Sequence, residues 1–97
     1  MKDPVIRKAL TVTGWVQGVG FRWRARSAAA ALGVSGWVRN NPDGSVSMEL
    51  QGTEAQIDGV LLAIECGAYV RIENLWVKTL PVKENESGFA VLEDGDI

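Results

Sequence analysis

Between Ile6 and Gly14 apolar and polar side chains alternate, with Leu10 and Val12 on one face and Thr11 and Thr13 on the other. This is the period of a half-buried strand. The pattern then breaks over Gly14 to Gly20, whose glycines favour unusual backbone angles and predict an irregular loop. From Phe21 or Arg22 to Leu32 an alanine-rich stretch predicts a helix, stopped by Gly33 as its C′ residue. Gly36 to Asn40 reads as a short strand. "NPDG", Asn41 to Gly44, has the chemistry of a turn: proline sets φ at its second position and Gly44 can take φ > 0. Ser45 to Gln51 places Val46, Met48 and Leu50 on one face, the second arm of a hairpin.

Thr53 and Gln56 match a capping box. Behind them Ile57, Val60, Leu61 and Ile64 fall on one face of a second helix, which Gly67 ends. Val70 to Lys78 is predicted as a fourth strand, Pro81 to Ser87 as a polar connector and Gly88 to Leu92 as a short fifth strand. The order is β-α-β-β-α-β with a terminal strand added. Two amphipathic helices need one apolar sheet face to cover. The expected fold is α+β, a ferredoxin-like sandwich: an antiparallel sheet with both helices on one face and a short extra C-terminal strand. Residues 1–97 are read as one domain, and fold alone leaves function open.

Composition narrows the chemistry. The 97 residues are 46% apolar and 23% charged, ordinary for a soluble globular protein. No stretch reaches the ~20 apolar residues of a membrane helix. "MKDPVIRK" has no apolar signal core, so a cytoplasmic location is expected. Histidine is absent, which excludes imidazole base catalysis and histidine metal ligation. A single cysteine, Cys66, excludes an intrachain disulfide and a cysteine-rich metal site. It reads as a small packing residue. The net charge of −2 is unevenly spread: seven basic residues against one acidic give +6 over residues 1–39, and three against eleven give −8 over residues 40–97. A basic N-terminal half is compatible with an anionic ligand, or with chance clustering on a mixed surface.

"GWVQGVGFR", Gly14 to Arg22, is where an anion would sit. A glycine-rich loop can turn successive backbone N–H groups into a concave nest. The helix N-terminus adds unsatisfied N–H groups and partial positive charge. Arg22 supplies a planar fork for phosphate oxygens. A cation at the positive end of a helix costs about 0.3–1 kcal/mol, and a bound anion reverses that sign. From pattern alone an anion site and a plain glycine-rich turn are equally good readings. Asn40 is a second candidate, able to hold water by donating and accepting at once. Taken singly it reads as turn chemistry with Asn41. Arg39 points to the opposite face and reads as a solvated charge. Trp23, Trp37 and Trp76 read as core or edge packing, while Trp15 could wall a pocket.

With these residues in place the chain resembles the acylphosphatase family. "GWVQGVGFR" matches the family's G-x-V-Q-G-V-x-F-R segment, and "GWVRNNPDGSV" matches its G-W-V-x-N followed by a turn and D-G-x-V. The resemblance implies hydrolysis of carboxyl-phosphate anhydrides to a carboxylate and phosphate, with no metal or other cofactor. It implies that Arg22 binds the phosphoryl group and that Asn40 orients the attacking water. The backbone N–H groups of Trp15, Val16, Gln17, Gly18, Val19 and Gly20 are implied as the phosphate cradle. The partners it implies are a small acyl phosphate and inorganic phosphate as product and inhibitor, with no nucleic acid or membrane, for a monomer. The chain departs from the family at Trp15, often a polar residue, and at Ala25, where a threonine is common; "CGAYVRI" replaces a Gly-Pro run.

Two rival readings come from other classes. A similar loop occurs in the opening domain of a hydrogenase-maturation carbamoyltransferase; the lack of zinc-finger cysteines here favours the free-standing enzyme. RNA-recognition domains share the β-α-β-β-α-β order but stack bases on aromatics of the third strand. Here that strand reads "SVSMELQ", and the pI is near 5.0.

Overall fold

The computed structural model describes residues 3–92. Seven elements follow one another: β1 (Val5–Trp15), α1 (Phe21–Leu32), β2 (Ser35–Asn40), β3 (Val46–Thr53), α2 (Glu54–Glu65), β4 (Arg71–Leu80) and β5 (Phe89–Leu92). They form one five-stranded sheet in the order β4-β1-β3-β2-β5. The expected ferredoxin-like order is present. β5, however, runs parallel to β2, with Gly36 opposite Phe89 and Arg39 opposite Leu92, so the sheet is mixed rather than antiparallel throughout. The cause is the connection: the chain passes from one sheet edge to the other before adding the last strand, and arrives in the direction of β2.

The core lies between the sheet and the two helices. Phe21, Ala25 and Ala29, one turn apart each, are the buried face of α1, and Ile57, Val60 and Ile64 that of α2. They close over Leu10, Val12, Val38, Met48 and Leu50. Leu61 packs at the rim, only partly buried. The capping box on Thr53 and Gln56 is formed in both directions, at 3.2 and 2.8 Å. Gly33 ends α1 in the left-handed conformation. The two helices meet closely at Gly59, where an added Cβ would lie 2.8 Å from Leu32 Cδ1. Among the described residues no helix is long and apolar enough to cross a membrane.

The fold departs from the expected elements at several places. Gly14 and Trp15 belong to β1 rather than to the loop. They stay paired with β4 because the register shifts after Thr13, where Gly14 opposes Ile72. That bulge needs glycine: at φ +126° an added Cβ would meet the Arg71 carbonyl oxygen at 2.2 Å. β4 runs on to Leu80, past the expected Lys78, because it keeps pairing with Lys8 and Arg7. Cys66 is exposed beyond the last turn of α2 and is not a packing residue. Trp23 and Trp76 are largely exposed, at 69% and 57%, so neither is core; Trp76 lies on the edge strand β4, while Trp23 stands on α1 at the sheet end. Arg39 is half-buried, with its guanidinium 5.5 Å from the Trp37 ring, a cation–π contact that a solvated charge would lack.

The face opposite the helices carries what sequence reading missed. Arg7 is fully buried there. Its Nε donates to Glu49 Oε1 at 2.8 Å and its Nη1 to Gln51 Oε1 at 3.1 Å. Glu86, from the connector between β4 and β5, accepts from Nη1 and Nη2 at 2.7 and 3.2 Å. Gln51 adds a reciprocal pair with the main chain of Lys83, both at 2.8 Å. The connector is therefore a strap laid across the sheet and fastened at two points. The Arg7 guanidinium, hydrogen-bonded to Glu86, holds that carboxyl below its ordinary range. Because the folded pKa is depressed, the stabilisation is full above the ordinary glutamate pKa of about 4.3 and is lost as pH falls through the folded value. Glu86→Gln is expected to cost about 1.5–3 kcal/mol at pH 7. Urea unfolding checks this: the gap from the parent protein should narrow sharply in strong acid, where Glu86 itself is protonated. An unchanged gap would show that the pair is not the source.

Candidate active site

Two segments far apart in sequence meet at one end of the sheet. After Trp15 the chain leaves β1 and turns through Gly18 and Gly20, at φ +74° and +82°. Both angles are left-handed, where glycine carries no steric penalty. Gly20 is the N-cap of α1 and has no side chain with which to cap it. The first helical hydrogen bond runs from Arg24 N to Gly20 O at 3.0 Å. The N–H groups of the turn before it therefore lack intrahelical partners. No acidic residue lies in that first turn to offset the helix dipole.

The second segment is the end of β2. Val38 is fully buried against the helices, and Asn40, two residues on, faces the same side. The turn that follows is tightly built. Gly44 N donates to Asn41 O at 3.1 Å, and Asn41 N to Ser45 O at 2.8 Å. Asn41 Nδ2 donates to Ser45 Oγ and Ser47 Oγ at 2.9 and 2.7 Å. Asp43 Oδ1 accepts from the Ser45 hydroxyl and backbone N–H, and these bonds, the hydroxyl first, hold its carboxyl below the usual range.

Gln17 joins the two segments. Its Nε2 donates to Asn41 O at 2.7 Å and to Ser45 O at 2.9 Å. One side chain from the loop thus satisfies two carbonyls of the turn and fixes the loop against the end of β2. No sequence pattern marks such a bond, because its acceptors are backbone carbonyls; the glycine loop points only to the backbone of Gln17.

A cleft of about 620 Å³ opens between the two segments. Arg22 and Asn40 line it together, with Val16, Gly18 and Gly20 from the loop. Trp15, Gln17 and Val19 lie outside its lining: Trp15 is 69% exposed at the end of β1, and Val19 packs partly into the core. Trp23 and Arg26 from α1 and Phe89, Ala90 and Val91 from β5 complete the walls. Sequence reading missed these; for Arg26 the signal was its spacing of four from Arg22, which puts both on one helix face. Ala25 points the other way and is fully buried. Among the described residues the lining holds two guanidinium groups and no carboxylate.

Asn40 carries the most informative atom. Its Oδ1 is buried and has no hydrogen-bond partner among the described residues. An unsatisfied buried acceptor costs about 1–3 kcal/mol. Native proteins retain such an atom where something else is meant to donate to it. Arg22, too, forms no ion pair among the described residues. The cleft thus offers a cation, unpaired loop N–H groups and one buried acceptor: a site for an anion and for a neutral donor beside it.

The sequence profile of the Acylphosphatase family matches residues 8–91. An acylphosphatase of Lactobacillus johnsonii is 40% identical over 85 residues, covering 86% of this chain and 93% of that protein. The crystal structure of acylphosphatase from Bacillus subtilis superposes with a TM-score of 0.81 at 27% identity, covering 90% of this chain and 98% of that one. Full-length HypF, in its phosphate- and nucleotide-bound form, matches with a TM-score of 0.81 at 28% identity, over 98% of this chain but 13% of HypF.

Proposed function

Because the chain belongs to the acylphosphatase family and hydrolyses small acyl phosphates to a carboxylate and inorganic phosphate, we propose that Arg22, Asn40 and the glycine loop are the groups that do so. In this reading the phosphoryl group sits in the backbone cradle of the glycine loop, where Val16, Gly18 and Gly20 line the cleft, and against the guanidinium of Arg22. Asn40 holds a water through its amide, with Oδ1 accepting one water hydrogen. The water oxygen attacks phosphorus, the bond from phosphorus to the acyl oxygen breaks, and the carboxylate departs with the bonding electrons. Its conjugate acid has a pKa near 4–5, so it leaves without protonation. The water's proton passes to a phosphoryl oxygen of the substrate, since the chain has no imidazole and the cleft lining carries no carboxylate among the described residues. Phosphoryl transfer asks chiefly for positioning and charge stabilisation. Arg22 and the loop supply the second and Asn40 the first.

The partnerless, buried Oδ1 of Asn40 in the same cleft as Arg22 is the observation that carries this assignment. The mechanism calls on no metal. A monomer suffices, because every group named comes from one chain. A lone cysteine fits a reducing, cytoplasmic setting.

Inorganic phosphate tests the site directly. It should inhibit competitively and stabilise the native state alone. At ten times its dissociation constant the gain is about 1.4 kcal/mol, or about 5–10 °C in Tm for a domain of this size. Thermal melts in phosphate against chloride of equal ionic strength, with hydrolysis of benzoyl phosphate assayed in EDTA, measure both. Equal melting in the two salts would count against the cradle.

A further inference from the structure

Arg26 is an exposed arginine that lines the same cleft as Arg22, one helical turn further along α1. Nothing in the fold accounts for it. Among the described residues it forms no ion pair and no side-chain hydrogen bond. Its neighbours on the helix face are Arg22, Trp23, Ala29 and Ala30, so no acidic residue of α1 balances it. Two arginines four apart near the positive end of a helix repel each other and the dipole. Arg26 also borders a second hollow, of about 520 Å³, that continues from the cleft towards Ser35 and Glu86. Glu86 is the one carboxylate there among the described residues, and both its oxygens are already bound by Arg7.

The cleft is large for a phosphoryl group alone and falls in the range of sites that enclose a whole small molecule. Its far part, beyond Arg22, is where the acyl group must lie. The cleft presents there a guanidinium with no ion-pair partner among the described residues, beside apolar Phe89 and Val91. We infer that Arg26 selects substrates: the preferred acyl phosphates carry a second negative charge, carboxylate or phosphate, on the acyl part, and Arg26 binds it while Arg22 holds the reacting phosphoryl group. This rests on the functional reading above.

Three aromatic acyl phosphates test it: benzoyl, 3-carboxybenzoyl and the uncharged 3-carbamoylbenzoyl phosphate. In the meta position the second group cannot cyclise onto the acyl carbon. The parent protein should prefer the carboxy over the carbamoyl compound by about tenfold in kcat/KM, the scale of one close charge pair in a wet cleft. Arg26→Gln should erase the preference and Arg26→Lys should keep part of it, since charge is retained but the fork is lost. Arg24→Gln removes the same charge from the same helix but outside the cleft, where Arg24 reaches Ala63 O at 3.4 Å. It should keep the preference. Equal rates on the carboxy and carbamoyl compounds in the parent protein, a preference that survives Arg26→Gln, or an equal drop in Arg24→Gln would each overturn the inference. Failure of the parent protein to hydrolyse any of the three would instead overturn the functional reading itself.

Discussion

Arg22→Ala is expected to lower turnover of benzoyl phosphate by three to five orders of magnitude, about the range found when an arginine is removed from a transferring phosphoryl group. The guanidinium can meet two phosphoryl oxygens at once, and negative charge spreads over those oxygens as the acyl bond loosens. Arg22→Lys is expected to recover little, because an ammonium is a point charge without the fork. Both variants should fold. Arg22 sits near the positive end of α1, with no ion pair among the described residues, so its loss removes a repulsion of about 0.3–1 kcal/mol. In phosphate-free buffer the melting temperature should hold or rise slightly, while the added stability from phosphate largely disappears. Turnover near that of the parent protein in either variant would remove Arg22 from the chemistry.

Asn40→Ala separates water from phosphate. The amide is assigned to the nucleophile and not to the bound anion, so kcat should fall by about two to three orders of magnitude while the phosphate inhibition constant stays nearly unchanged. Stability gives an independent reading. Deleting a buried oxygen that has no partner removes a desolvation penalty of about 1–3 kcal/mol, offsetting the packing that is lost. The melting temperature should therefore be maintained or raised, the usual relation between a functional group and the fold that carries it. If Asn40 only shapes the turn, its removal should cost about 0.5–2 kcal/mol and leave turnover intact. Asn40→Asp is expected to be at least as damaging as alanine, because a carboxylate beside the phosphoryl group repels it. A destabilised but fully active Asn40→Ala protein would overturn the assignment.

Much of this was legible in the sequence because local chemistry and global fold agree. The capping box, the left-handed Gly33 and the alternation of Val46, Met48 and Leu50 each formed as read. Arg22 and Asn40 were legible as candidates, and the fold brings them into one cleft. What stayed hidden depends on pairing across the chain. The parallel direction of β5 follows from a crossover that no local pattern records. The burial of Arg7 depends on partners at positions 49, 51 and 86. A hydropathy pattern cannot distinguish a buried, ligated arginine from a solvated one. Trp23 was misread because aromatic size suggests a core, whereas the core face of α1 is set by Phe21, Ala25 and Ala29. Gln17 was missed because its targets are backbone carbonyls, which carry no sequence signature.

The strap across the open sheet face also sets an order in time. β1 pairs with β4, and β2 with β5, through partners as distant in the chain as Arg7 and Leu80 or Gly36 and Phe89. Such long closures make folding slower than that of a helical bundle of the same length. β5 spans four described residues and pairs in the sheet only with β2, with Phe89 and Val91 packed against the rim of the core. It is the element to dock late and to detach first, a sub-global opening well below the cost of full unfolding. That opening would carry away Phe89, Ala90 and Val91 while Gln17 keeps the glycine loop tied to the end of β2. The phosphate end of the cleft can therefore persist while the acyl wall comes and goes, so a bulky product can be released without dismantling the cradle that receives the next substrate.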